Sequence, residues 1–198
     1  GTDYGISLSR YNSALQFIPI SQITGTGDGN QFYSLFRDSK GFYWFGGTNG
    51  LIRFTDPAGE RHDTIWYRMG DKTYPLSHIR HIYEDKEQQL WIATDGSINR
   101  YDYATRQFIH YNIVDSTGMY NTNWTYYMFE DTAGQLWIST CLGGIFVVDK
   151  HKLMQSASGQ YVAEQNYSVH NGLSGMFINQ IIPDNEGNVW VLLYNNKG

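Results

Sequence analysis

The chain has 198 residues, enough to bury a sizeable core, and it is rich in aromatics and glycine: 16 Tyr, 10 Phe, 6 Trp and 21 Gly against four Pro. Its net charge of −5, with no Lys/Arg cluster, leaves out the electrostatic footprint of a nucleic-acid binder. No apolar run approaches the ~20 residues that cross a bilayer, no leader pattern opens the chain, and the single Cys141 excludes an internal disulfide and reads as a buried thiol.

Residues 1–20 hold two short apolar runs, and the run Gly5–Asn12 looks like Gly96–Asp102 further on, as Phe17 looks like Phe108. Residues 21–30 are a polar connection. From there a heptapeptide recurs: Asp38 to Trp44, Asp85 to Trp91, Asp131 to Trp137 and Asp184 to Trp190. Gly41, Gly134 and Gly187 hold one place in it, and Gln88 replaces the glycine in the second copy. The Trp residues lie 47, 46 and 53 positions apart, a period typical of repeat arrays.

An apolar run precedes each Asp (32–36, 79–83, 125–129, 178–182) and each Trp opens another, so every heptapeptide reads as a β-hairpin turn. The Asp carboxylate can accept backbone N–H groups within the turn, and the glycine supplies the positive φ, which Gln88 must meet at the cost of strain or in a different turn. A third apolar run follows at 51–54, 98–101 and 145–148, and a fourth near 64–67, 108–111 and 162–167. The extra glycine of Gly46-Gly47, ahead of Thr48, suggests a β-bulge. Four strands per unit make a propeller blade, and the apolar spacing of 3.6 that helical repeats need is absent.

The fold expected is therefore all-β, a β-propeller of four-stranded antiparallel blades. Residues 1–30 supply the last strands of a blade plus a linker, 31–77, 78–123 and 124–176 are blades, and 177–198 supply the first strands of another. The two terminal pieces could close one composite blade in a ring of four, or the chain could be a piece of a larger propeller with open sheet edges.

The repeat, with Ile82-Tyr83-Glu84-Asp85, Leu90-Trp91-Ile92-Ala93-Thr94, Asn99-Arg100-Tyr101-Asp102 and Phe108 to Tyr111 as its best copy, resembles the two-component regulator propeller repeat. Asn171-Gly172-Leu173-Ser174 resembles that family's linker, while Gln88, Pro183 and Leu193-Tyr194 depart from its pattern. The resemblance implies a periplasmic sensor region of a hybrid two-component system, part of a seven-bladed propeller. It also implies a membrane helix, histidine kinase, receiver and DNA-binding domain elsewhere, an oligosaccharide ligand, and a homodimer. No nucleic-acid contact, no membrane segment and no catalysis are expected of this segment. The alternative is a non-catalytic scaffold for protein–protein interaction or dimerisation.

Catalytic and metal chemistries find little support in the residues. A sialidase Asp-box has one residue between Asp and Gly, whereas Asp38 and Gly41 have two, and Arg10, Arg53 and Arg100 recur as parts of the unit. His78 and His81, three apart on a predicted strand, point to opposite faces, and the other histidines lack ligand spacing, so neither metal nor cofactor is expected. Function should sit where the copies differ. Seven residues ahead of each Asp stand Gln31, His78, Trp124 and Phe177, and two positions on stand Tyr33, Arg80, Tyr126 and Asn179. Aromatic faces with Arg and Asn donors suit a sugar, so Arg80, Trp124, Tyr126, His78 and Asn179 form the candidate ligand set. The repeated Trp residues read as packing between blades, each ring burying on the order of 200 Å². Trp137→Ala is accordingly expected to lower the melting temperature without a selective loss of ligand affinity, as thermal denaturation beside calorimetric titration would register.

Overall fold

The computed structural model describes residues 5–8, 16–19, 31–48, 50–55, 62–66, 78–156 and 160–194. The connections 21–30 and 67–77, and Asp56, lie outside the described residues. Strands β1 (Gly5–Leu8) and β2 (Gln16–Pro19) pair antiparallel with each other. Strands β3 (Phe32–Arg37), β4 (Tyr43–Gly47), β5 (Gly50–Phe54) and β6 (His62–Trp66) form one antiparallel sheet in sequence order. A second sheet holds β7 (His81–Glu84), β8 (Leu90–Thr94), β9 (Ser97–Asp102) and β10 (Gln107–Val114). β11 (Thr125–Glu130), β12 (Gln135–Thr140) and β13 (Ile145–Asp149) lead into the short helix α1 (Lys150–Gln155), and then come β14 (Gln160–Val162) and β15 (Gln165–Tyr167). β16 (Ile178–Pro183) and β17 (Val189–Leu193) form a hairpin sheet of their own. The fold is an all-β propeller, with the first strands of successive sheets, β3, β7, β11 and β16, lying against one another around the axis.

The expected fourth strand at 162–167 is two strands. β15 completes the third sheet beside β13, but β14 crosses over and pairs in parallel with β10, adding a fifth strand to the second sheet. The crossing is set up by α1, which Asp149 caps by accepting from the backbone N–H groups of His151 and Lys152. The bulge expected at Gly46-Gly47 lies on the opposite strand, where Tyr33 is the extra residue between the pairs Phe32↔Gly47 and Ser34↔Gly46. Gly46 serves a different end: a Cβ there would stand 2.3 Å from Ile79 Cγ2, so only glycine lets the second sheet close on the first.

Each heptapeptide turn is built on its aspartate. One carboxylate oxygen of Asp85 accepts from Glu87 N and Gln89 N at 2.9 and 2.8 Å, and the other accepts the indole N–H of Trp91 at 2.9 Å. Asp38, Asp131 and Asp184 hold Trp44, Trp137 and Trp190 by the same indole bond, at 2.8, 2.9 and 3.0 Å. Gly41, Gly134 and Gly187 adopt φ of +89°, +81° and +89°, and Gln88 takes the same left-handed region at +62°.

The indole so fixed becomes the wedge between blades. Trp44 packs with Leu51 against Ile82, Leu90 and Tyr101 of the next sheet, and Trp91 packs against Met128, Leu136 and Ile138 of the one after. Both are fully buried, whereas Trp190 is 68% exposed. Polar clamps run along the same seams. Glu84 accepts from Ser39 N of the preceding turn at 2.9 Å, and Glu130 accepts from Lys86 N at 2.8 Å. Tyr103 donates to Asp38 at 2.7 Å, and at the equivalent place Lys150, 1% exposed, meets Asp85 at 3.2 Å and Glu130 at 2.9 Å. Removing one member of a buried ionic cluster leaves the others uncompensated, at a cost of roughly 3 kcal/mol or more. Lys150→Met, which leaves Asp85 and Glu130 facing each other, is expected to lower the unfolding free energy by about 3 kcal/mol in urea titrations.

Candidate ligand site

Three of the four first strands carry a bulge at the same place in the repeat. The extra residues are Tyr33 in β3, Tyr126 in β11 and Asn179 in β16. Arg80 occupies that place just ahead of β7, its N–H donating to Ala93 O at 3.0 Å. A bulge re-aims a side chain that strict alternation would send to the sheet face. Here the three re-aimed side chains converge with Arg80: Tyr33, Arg80, Tyr126 and Asn179 line one cavity of about 500 Å³, with His81 and Gln180 beside them.

Arg80 lies over the Tyr126 ring, with Cζ 4.4 Å from its centroid, and its Nε donates to Asp95 Oδ1 at 2.7 Å. Partial burial works against its charge, but the hydrogen bond and charge of Asp95 outweigh this, so its pKa is raised. Asp95 Oδ2 is also met by His78 Nδ1 at 3.2 Å. Tyr126 continues into a chain of rings through Phe177 to Tyr194, at centroid spacings of 5.2 and 5.1 Å. Tyr33 donates to Gln31 Oε1 at 2.7 Å. Cys141, buried nearby, has its thiol pKa raised by burial and so stays protonated.

Of the residues expected from the sequence, the cavity gathers Arg80, Tyr126 and Asn179. His78 stands behind Arg80 on Asp95, and Trp124 does not join them. Trp124 sits on a separate cavity of about 310 Å³ with Met119, Tyr120, Asn121, Asn123 and Leu142. Its backbone is held at φ +57°, with its N–H on Asp95 O and its carbonyl on Cys141 N, and its indole is 48% exposed. His78 shares the positive φ, at +48°, so the corner is not peculiar to tryptophan. Asp95 is the partner that sequence reasoning passed over. Its signal was present, since it is the acidic residue of Thr94-Asp95-Gly96 where the first and third units have Asn49 and Cys141.

The profile of the two component regulator propeller family matches residues 26–49, 73–96 and 172–195. The chain carries two-component regulator propeller repeats. Its propeller segment is 93% identical to the extracellular domain of a putative hybrid two component system from B. thetaiotaomicron, with a TM-score of 0.86 over all of this chain and 27% of that one. The extracellular domain of a second such system from B. thetaiotaomicron, 20% identical with a TM-score of 0.55 over 82% of this chain and 27% of that one, shares the fold alone. Histidine kinase P4 of Formosa agariphila is 34% identical over 67 residues, which are 32% of this chain and 5% of that protein. The propeller segment thus spans about a quarter of its structural relatives and a small fraction of the curated one. It corresponds to part of an extracellular sensor region, outside the catalytic parts of such systems.

His81, stacked on Tyr127 at 3.9 Å, accepts Met128 N–H on its Nδ1 at 3.3 Å. Burial pushes its pKa down to about 4, from an ordinary value of about 6.5. The folded state therefore holds the imidazole neutral, and the unfolded chain takes up a proton first as pH falls. Stability from this group is complete above pH ~6.5 and lost between there and about pH 4. The melting temperature should accordingly fall more steeply over that window in the wild type than in His81→Phe, as calorimetry at stepped pH would show.

Proposed function

We propose that this chain is a periplasmic ligand-sensing segment of a hybrid two-component sensor, binding an oligosaccharide in the cavity lined by Tyr33, Arg80, Tyr126 and Asn179 without catalysing any reaction. The observation that carries this is the convergence of Tyr33, Arg80, Tyr126 and Asn179, one repeat position filled by three different kinds of side chain in four copies, on one cavity. A framework position tends to one residue type, as Asp38, Asp85, Asp131 and Asp184 do. Variation at an equivalent place that faces a shared cavity is what recognition of an unsymmetrical ligand requires. The chemistry suits a sugar: tyrosine faces for apolar ring surfaces, with amide and guanidinium donors for hydroxyl groups.

The segment works, on this reading, as part of a larger propeller of a homodimeric receptor. Trp190, Leu192, Tyr194 and Ile182 present an exposed apolar face of the kind that the next blade covers at Trp44 and Trp91. A ligand bridging the bulges of several blades favours one arrangement of the blades over another, and only that difference can be passed to a kinase elsewhere in the protein.

A thermal-shift panel of oligosaccharides on the extracellular domain tests the reading. A ligand at 100 times its Kd adds about 2.7 kcal/mol of stability. A saturable shift with one glycan class is expected, abolished in Arg80→Ala/Tyr126→Ala and kept in Trp124→Ala. A panel with no shift, or a double variant that binds like the wild type, overturns it.

A further inference from the structure

Among the described residues, Arg80 is the only charged side chain that lines the cavity, and no carboxylate lines it. The neighbouring His81 is kept neutral by burial, and its Nδ1 accepts from Met128 N. Two arginines that recur with the unit spend terminal nitrogens on the framework: Arg53 Nη1 donates to Tyr101 at 3.3 Å, and Arg100 Nη1 to Gln89 at 2.8 Å. Arg80 is arranged the other way round. Only its Nε is engaged, by Asp95, and among the described residues no acceptor meets Nη1 or Nη2.

Asp95 and Tyr126 thus fix the plane of the guanidinium while leaving its outer edge free. Asp95 is shared with His78, and neither is among the described residues that line the cavity. Two parallel N–H donors on a fixed plane match an oxyanion in bidentate fashion, a geometry that a neutral hydroxyl does not fill. Among the described lining residues no anionic side chain competes for that edge, since besides Arg80 they are phenols, amides, an imidazole, a serine and a leucine.

We propose that the ligand of this cavity is an acidic saccharide, its carboxylate or sulfate oxygens taking the free edge of Arg80 while a sugar ring faces Tyr126. This rests on the reading of the cavity as a saccharide site and adds the class of saccharide. Tyr33, Asn179 and Gln180 meet the hydroxyl groups of the sugars on either side of the charged one.

Calorimetric titration of the whole extracellular domain tests it, using acidic oligosaccharides each paired with its neutral form: uronates with their methyl esters, and sulfated oligomers with the desulfated ones. The acidic member of one pair should bind about tenfold or more tightly than its neutral partner, the size expected of a charge-assisted bidentate contact. Whether the uronate or the sulfate pair shows the difference identifies the anion. Arg80→Gln should erase the preference, weakening the acidic member of the pair about tenfold or more beyond any loss in the neutral form, and Arg80→Lys, which keeps charge without the fork, should restore only part of it. Equal binding within every pair, or a preference that survives Arg80→Gln, overturns the proposal; the wild-type comparison of pairs stands even where a variant folds poorly. Sugar binding that Tyr126→Ala weakens but that shows no charge preference removes the acidic class alone. A complete failure to bind any saccharide removes the saccharide site as well.

Discussion

One carboxylate per repeat holds this structure in place. The aspartate at the head of each turn closes the turn with one oxygen and anchors the indole N–H of a tryptophan six residues on with the other. An unanchored tryptophan on a strand samples several rotamers, and an unclosed turn samples several hairpin registers. Tying them to the same group removes both freedoms together, so the ring arrives at the seam between blades in a single orientation. Ordering a side chain before it is buried lowers the entropic cost of docking one blade on the next.

The seams reuse the same carboxylates. Tyr103 and Lys150 stand one residue after Asp102 and Asp149 in successive units, and each reaches back to the turn aspartate of the preceding unit. Glutamates at 84 and 130 add a second tie to the preceding turn, and Pro183 holds the corresponding place in the last unit, where no such tie can form. Where the framework is knitted this tightly, residues outside it are free to differ. The bulged positions of the first strands are such places, which is why a tyrosine, an arginine and an asparagine can share one cavity without loosening the ring.

Much of this was legible in the residues. The step from Asp to Trp, the glycine of the turn and the alternation of apolar runs are local features with one physical reading each, and they fixed the propeller. The candidate position at Arg80, Tyr126 and Asn179 was legible because it varies against a constant background. Trp124 stands apart from that cavity for a specific reason. Two residues from Tyr126, it should share that residue's face on a regular strand, but Tyr126 is the bulged residue and the alternation breaks between them. The indole bond to the aspartate also stayed out of sight, since spacing shows that two side chains are near and not that one donates to the other. Nor could the pattern show the pairing of β14 with β10, which lies some fifty residues earlier.

That last strand carries a wider consequence. The period of the sequence divides the chain at one set of points, and the hydrogen bonds divide it at another, because β14 is encoded in one unit and completes the outer edge of the unit before it. Copying or cutting the gene at the repeat boundary would therefore deliver a blade with a borrowed strand missing on one side and a stray strand on the other. The two units are bound to be inherited together, although their sequences advertise them as interchangeable.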